Sequence, residues 1–271
     1  MRPFVKWAGG KTQLLSCIIE RMPHDYNCYY EPFVGSGALL FSLAPKKALI
    51  NDINSELVNV YTVIRDRIDE LVVFLELVDG NHQGIVKQYY YEQRERYNKK
   101  IAAKEYDVEM AALFIYLNKH CFNGLYRVNN KGLFNVPFNG KKTGNSFDKG
   151  NLREISNYLK DVTIMNEDFE KAVSATKKGD FVFFDSPYAP LSDTSFESYT
   201  KNGFGYDEHL RLSNLYKELN KKGVYCMLTN HNTQLINDLY CDFRIEVVPV
   251  KRLINSDSKN RIGEETIITN Y

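Results

Sequence analysis

At 271 residues, with 44% apolar and 25% charged residues, the chain has the composition of an ordinary globular protein, which excludes disordered, collagen-like and coiled-coil classes. Thirty-five basic residues against thirty-four acidic ones leave a net charge of +1, so any basic footprint for a polyanion must be local. No apolar run approaches the roughly 18 residues a membrane helix needs, and Met1-Arg2-Pro3-Phe4 opens onto polar sequence, so a cytoplasmic protein is expected.

Lys6-Trp7-Ala8-Gly9-Gly10-Lys11-Thr12 ends like a phosphate-binding loop, but the motif's other glycine falls on Val5 and no strand precedes it. What remains is a turn presenting Lys11 to a carboxylate, with Trp7 near an adenine face or a cationic methyl group, or simply Trp7 in the core. A strand around Tyr29-Tyr30 then leads to a turn at Gly35-Ser36-Gly37, a helix through Ala38-Leu39-Leu40-Phe41 and a second strand, Ala48-Leu49-Ile50, ending at Asn51-Asp52. This β-turn-α-β order opens a doubly wound α/β sheet. Two glycines at such a turn let a ligand approach backbone N–H groups at the helix start. With Leu40 in place of the third glycine of a dinucleotide fingerprint, another nucleoside-bearing cofactor is expected, its ribose hydroxyls at Asp52.

From Ser55 to Leu117 the pattern is helical, with Leu57, Val60, Tyr61 and Ile64 at helical spacing. Between His120 and Phe147 acids vanish, while Arg127, Lys131, Lys141 and Lys142 alternate with Phe122, Tyr126, Phe134 and Phe138 around hairpin-turn residues Asn129-Asn130-Lys131-Gly132. Lys141 and Lys142 suit phosphates, Arg127 suits bidentate contact with guanine, Leu125 and Pro137 suit a thymine methyl, and Phe122 suits a wedge between bases. The plainer alternative is a solvated hairpin with aromatic residues on its inner face.

The α/β texture returns with strands at Val162-Thr163-Ile164-Met165, Phe181-Val182-Phe183-Phe184, Val224-Tyr225-Cys226-Met227-Leu228 and Ile245-Glu246-Val247-Val248, and a helix from about Asp207 to Lys221. Asp185-Ser186-Pro187-Tyr188 follows the second of these strands, at the carboxyl end where open α/β sheets bind ligands. That group of side chains suits methylation of an exocyclic amine, whose lone pair is delocalised into a base ring. A carboxylate accepting its N–H, with the Ser186 carbonyl as second acceptor, localises the lone pair, and Tyr188 stacks on the base. An ordinary Asp-Pro strand terminus is the alternative. Ala189 to Tyr206, rich in Ser, Thr and Gly, is expected to order only on DNA. Cys17, Cys28, Cys121, Cys226 and Cys241 are widely spaced and fit reduced thiols. None follows a proline, as the nucleophile of a cytosine-C5 methyltransferase would, and no His/Cys cluster suggests a metal.

The succession Lys-Trp-Ala-Gly-Gly-Lys, Glu-Pro-Phe-Val-Gly-Ser-Gly, Asn-Asp-Ile-Asn and Asp-Ser-Pro-Tyr, with Phe122 to Asn129 and Gly132 to Phe138 between the last two, resembles the Dam-type (D12 class, alpha group) DNA adenine-N6 methyltransferases over nearly the whole chain. The resemblance implies an α/β, Rossmann-like class I S-adenosylmethionine-dependent core over residues 1–56 and 148–271, and a helical and β-hairpin target-recognition insertion over 57–147. It implies S-adenosyl-L-methionine held at Trp7, Lys11, Glu31, Phe33, Gly35, Gly37, Asp52, Asp168, Phe169 and Asp185, and catalysis at Asp185, Ser186, Pro187 and Tyr188. It also implies contact with double-stranded DNA through Phe122, Asn123, Leu125, Arg127, Asn129, Pro137, Lys141 and Lys142, with GATC as the site. A monomer in solution, without metal or membrane, is expected. The chain departs from the family's commoner Asp-Pro-Pro-Tyr at Ser186, which keeps the carbonyl but loosens the turn. A cytosine-N4 methyltransferase and a catalytically inactive DNA-binding regulator are the competing expectations.

Overall fold

The computed structural model describes residues 1–7, 9, 11, 14–80, 86–140, 145–191, 203–251 and 262–271, without the side chains of 251 and 262. Lys141, Lys142 and residues 192–202 of the segment expected to order on DNA lie outside them. In chain order the elements are α1 (Leu15–Glu20), β1 (Tyr29–Glu31), α2 (Ala38–Leu43), β2 (Ala48–Asn51), α3 (Ser55–Asp66), α4 (Ile68–Gly80), α5 (Val86–Ala103), α6 (Val108–His120) and α7 (Lys149–Leu159). There follow β3 (Val162–Met165), α8 (Phe169–Ala172), β4 (Phe181–Phe184), α9 (Tyr206–Lys221), β5 (Tyr225–His231), α10 (Gln234–Leu239), β6 (Arg244–Lys251) and β7 (Ile262–Thr269). Contacts divide the chain into two compact bodies, Met1–Gly10 with Val34–Ala44 and Asn51–Asn166, and Lys11–Phe33 with Pro45–Ile50 and Glu167–Tyr271.

The second body holds the sheet strands in the order β2-β1-β4-β5-β7-β6, and β3 belongs to the first. β1 pairs in parallel with β2 and β4, and β4 with β5, while β7 runs antiparallel between β5 and β6. Every residue of β4 is buried, as its unbroken Phe-Val-Phe-Phe run predicts for a parallel strand covered on both faces. Val182, Phe184 and Leu228 pack with Leu212, Tyr216 and Leu219 of α9, and each large side chain so buried contributes about 1.5 to 3 kcal/mol. The Tyr216 hydroxyl, buried in this core, donates to the Cys226 carbonyl at 2.9 Å. The carboxyl ends of β1, β4 and β5 face one way, which sets Asp185 on that rim.

In the first body α6 packs against α3, α4 and α5, and every residue from Met110 to Asn118 is buried. Its start is capped by the Asp107 carboxylate, which accepts the Met110 N–H at 2.8 Å. Near its end the buried Asn118 accepts the Lys6 N–H at 2.8 Å and donates to the carbonyls of Lys6 and Gly124 at 2.8 and 3.1 Å, fastening the chain start to the segment that follows α6. Beyond it, bridges Cys121 to Phe138 and Val128 to Phe134 join two arms across the turn at 129–132, the expected hairpin in abbreviated form. Among the described residues no helix is long and apolar enough to cross a membrane.

Candidate active site

Asp185 leaves β4 on the rim of the second body with 20% of its side chain exposed. Its Oδ1 lies 2.5 Å from the ammonium of Lys11, itself only 4% exposed, and accepts the Thr229 hydroxyl of β5 at 3.2 Å. Burial pushes the Asp185 carboxyl above its ordinary value, against the pull of Lys11 and Thr229. The Lys11 ammonium also stands 4.4 Å above the Tyr188 ring, which forms a T-shaped pair with His231 at 4.7 Å between centroids. The Tyr188 hydroxyl donates to Glu265 Oε2 of β7 at 2.6 Å, and burial together with the Asp185 and Glu265 charges holds its proton firmly. Ser186 is buried and Pro187 exposed. The turn is closed beyond them by Asn230, whose Oδ1 accepts the Ala189 N–H at 2.8 Å.

Also within this body, Phe33 and Phe169 lie 5.4 Å apart with Phe204 against both, and the Arg211 guanidinium sits 4.8 Å over Phe169. Asp168 caps α8: its Oδ1 accepts the Glu170 N–H and an Arg211 N–H, each at 3.0 Å. Among the described residues its Oδ2 has no partner. Half-buried Phe33 and Phe204 beside an acceptor suit the face and the amine edge of a purine. Glu31 is buried, its Oε2 accepting the Tyr29 hydroxyl at 2.8 Å.

In the first body the glycine turn takes left-handed backbone, φ +48 at Gly35 and +67 at Gly37. A Cβ on Gly35 would meet Trp7 at 2.7 Å, and one on Gly37 would meet the Tyr61 hydroxyl at 2.8 Å, so the chain's own packing demands both glycines. Asp52 accepts the Gly35 N–H on Oδ2 at 3.1 Å and the Asn54 N–H on Oδ1 at 2.9 Å. One donor expected for a ligand is therefore already used, while the carboxylate, raised in pKa chiefly by burial, keeps lone pairs for further donors. Trp7 stacks on Tyr126 at 5.5 Å and on Phe114 at 6.3 Å, which places it against the hairpin as well as the glycine turn.

On the hairpin, Phe122 is 51% exposed and is followed by the left-handed Asn123 (φ 56), while Arg127 and Pro137 are exposed and Leu125 half-buried. Arg127 donates from Nε to Asn135 Oδ1 at 2.7 Å and from Nη2 to the Asn135 carbonyl at 3.4 Å. Asn129 Oδ1 accepts the N–H groups of Lys131 and Leu133, so this oxygen shapes the turn.

Sequence reasoning missed Thr229, His231, Arg211 and Glu265. Glu265 and Tyr188 stand 77 positions apart, and only strand pairing brings them together.

A family model described as D12 class N6 adenine-specific DNA methyltransferase matches residues 7–254. The whole chain is 45% identical to Type II methyltransferase M1.LlaDCHI of Lactococcus lactis subsp. cremoris, covering 96% of it. It is 41% identical to Type II methyltransferase M.MjaIII of Methanocaldococcus jannaschii, covering 99% of that protein, again over the whole chain. It is also 31% identical, along its full length, to the DNA adenine methylase of Escherichia coli K12, of which it covers 95%. Similarity of this extent, joined to an acidic strand terminus flanked by a lysine and a tyrosine, makes the chain a member of the D12 class of N6 adenine-specific DNA methyltransferases.

Proposed function

We propose that the protein methylates N6 of adenine within GATC in double-stranded DNA, using S-adenosyl-L-methionine and a target base flipped out of the helix. The observation that carries this is the division of labour at Asp185: Oδ1 is engaged by Lys11 and Thr229, which leaves Oδ2 for a substrate amine, while the same Lys11 ammonium stands over the Tyr188 ring. S-adenosylmethionine, when bound, supplies a methyl group made electrophilic by its positive sulfur. Within the second body Phe33, Phe169 and Asp168 suit its adenine, and within the first Asp52 beside Gly35 suits ribose hydroxyls.

Asp185 Oδ2 accepts an N–H of the target amine, returning the lone pair to nitrogen, and is where the amine's proton first rests. The Ser186 carbonyl takes the second N–H. Lys11 keeps Asp185 ionised in a site whose burial opposes ionisation. Flipping costs a few kcal/mol, and stacking on Tyr188 offsets about 1 to 3 kcal/mol of it, with Phe122 filling the vacated space. Phosphate contacts are assigned to Lys141 and Lys142, and base contacts to Asn123, Leu125, Arg127, Asn129 and Pro137.

Incubation with labelled S-adenosylmethionine and methylation-free duplexes tests the assignment. Label is expected on adenine N6 in GATC and not in duplexes with one base of the site changed; label in another context refutes the site, and label on cytosine refutes the chemistry.

Glu265 is the positioning residue for Tyr188 in this scheme. Glu265→Ala, which removes one strong hydrogen bond, is expected to lower kcat about 5- to 10-fold, and Glu265→Gln, which still accepts from the hydroxyl, to recover most of it. Equal defects in both variants would show that the hydrogen bond is not what matters.

A further inference from the structure

Three lysine pairs stand at the starts of three strands in the second body: Lys46-Lys47 before β2, Lys177-Lys178 before β4 and Lys221-Lys222 before β5. All six side chains are exposed, and among the described residues none takes part in an ion pair. Pairing of Tyr29 with Ala48 and Phe181, and of Phe181 with Tyr225, makes β2, β1, β4 and β5 begin level. Backbone hydrogen bonds continue that alignment into the preceding turns, from Tyr29 to Lys47 at 3.0 Å, Asn27 to Gly179 at 2.9 Å and Gly179 to Gly223 at 3.0 Å. The Lys178 stem lies along Gly223, where a Cβ would meet its Cγ at 3.0 Å.

Acids hardly dilute this edge. On segments 24–28, 45–47, 176–180 and 218–223 they are Asp25, Asp180 and Glu218. Asp180 is buried and spends its carboxylate on the Lys177 N–H at 2.8 Å. Because the whole chain carries only +1, six lysines here leave the remainder net negative, a segregation of charge that bulk composition hides.

Neighbouring strands lie about 4.8 Å apart, so the four strand starts span roughly 14 Å. Duplex DNA carries one negative charge per roughly 3.4 Å of axis on each strand and so offers about four per strand over that length, enough to engage four of the six ammoniums. This edge is opposite the catalytic rim: at about 3.3 Å per residue, the chain from Lys178 to Asp185 covers roughly 20 Å.

We propose that this edge is a second, sequence-blind docking surface for the phosphates of duplex DNA, which lets the enzyme hold one DNA segment while acting on another. The inference needs DNA as the substrate of the family but neither the GATC assignment nor base flipping.

The full-length enzyme, with an immobilised target duplex in saturating excess, is offered a fluorescent duplex lacking the target. The wild-type protein is expected to retain the second duplex, with affinity falling about 100-fold between roughly 50 and 200 mM salt if four lysines engage, at a slope near 0.9 per contact. The variant Lys46→Gln, Lys47→Gln, Lys178→Gln, Lys222→Gln is expected to lose that retention while methylating a short target duplex at the wild-type rate, and arginine at the same four positions to restore it. Absence of a second duplex on the wild-type protein, or undiminished retention by the glutamine variant, overturns the proposal. Methylation of the short duplex, read in the same samples, separates either result from failure of the enzymatic assignment.

Discussion

Replacing Asp185 by alanine is expected to lower kcat about 10²- to 10⁴-fold while leaving DNA affinity within about threefold, because in the proposed mechanism this carboxylate acts on the amine only as charge develops. The geometry makes the expectation sharper. Oδ1 is held by Lys11 at 2.5 Å and by Thr229 at 3.2 Å, which leaves Oδ2 for the amine. Glu265 is engaged with Tyr188. Burial raises the Asp185 pKa, so the active carboxylate is lost as pH falls through a value above that of a solvated aspartate, and the acid limb of kcat lies correspondingly high. Lys11 pulls the other way. Lys11→Met removes the cation and is expected to move the acid limb to still higher pH, with Thr229→Val shifting it in the same direction by less. Rapid-quench kinetics across pH on a short duplex read both effects; near wild-type turnover by Asp185→Ala, or an acid limb that moves down in Lys11→Met, removes Asp185 from the chemistry.

The same residues show what local sequence carries and what it cannot. The Phe181 to Phe184 run followed by Asp-Ser-Pro-Tyr was legible because a buried parallel strand and its carboxyl-end turn are both local patterns. The glycine turn was legible as a turn. Its donors were not, since use of the Gly35 N–H by Asp52 depends on β2 ending beside it. The partners that local sequence does not reveal, Thr229 and Glu265, are supplied by β5 and β7. β7 carries no strand signal over Gly263-Glu264-Glu265-Thr266, yet it is inserted antiparallel between β5 and β6, where Thr266, Ile267 and Ile268 are buried. A strand whose burial comes from two long-range neighbours need not alternate. Arg211, which holds Asp168, comes likewise from α9. On the hairpin, charge and aromatic pattern indicated a nucleic-acid surface, but the pinning of Arg127 by Asn135 required the two arms to be paired.

That pinning makes Arg127→Ala the variant expected to change specificity most. Nε and Nη2 are held by Asn135 at 2.7 and 3.4 Å, so the guanidinium plane is set before DNA arrives, which leaves Nη1 and the remaining Nη2 hydrogen for the DNA. A fixed fork matches guanine O6 and N7, and one such pair is worth roughly 1 to 3 kcal/mol of discrimination. Arg127→Ala is accordingly expected to bring kcat/KM on GATC closer, by about 5- to 150-fold, to that on a duplex with one guanine replaced. Arg127→Lys restores charge without the fork and is expected to recover DNA affinity but little discrimination. Asn135→Ala leaves the arginine but frees its plane, and an intermediate loss is expected because the arm must then be ordered on binding. Should Arg127→Ala weaken cognate and altered duplexes equally, the side chain touches only phosphate and the base contact must lie elsewhere on the hairpin.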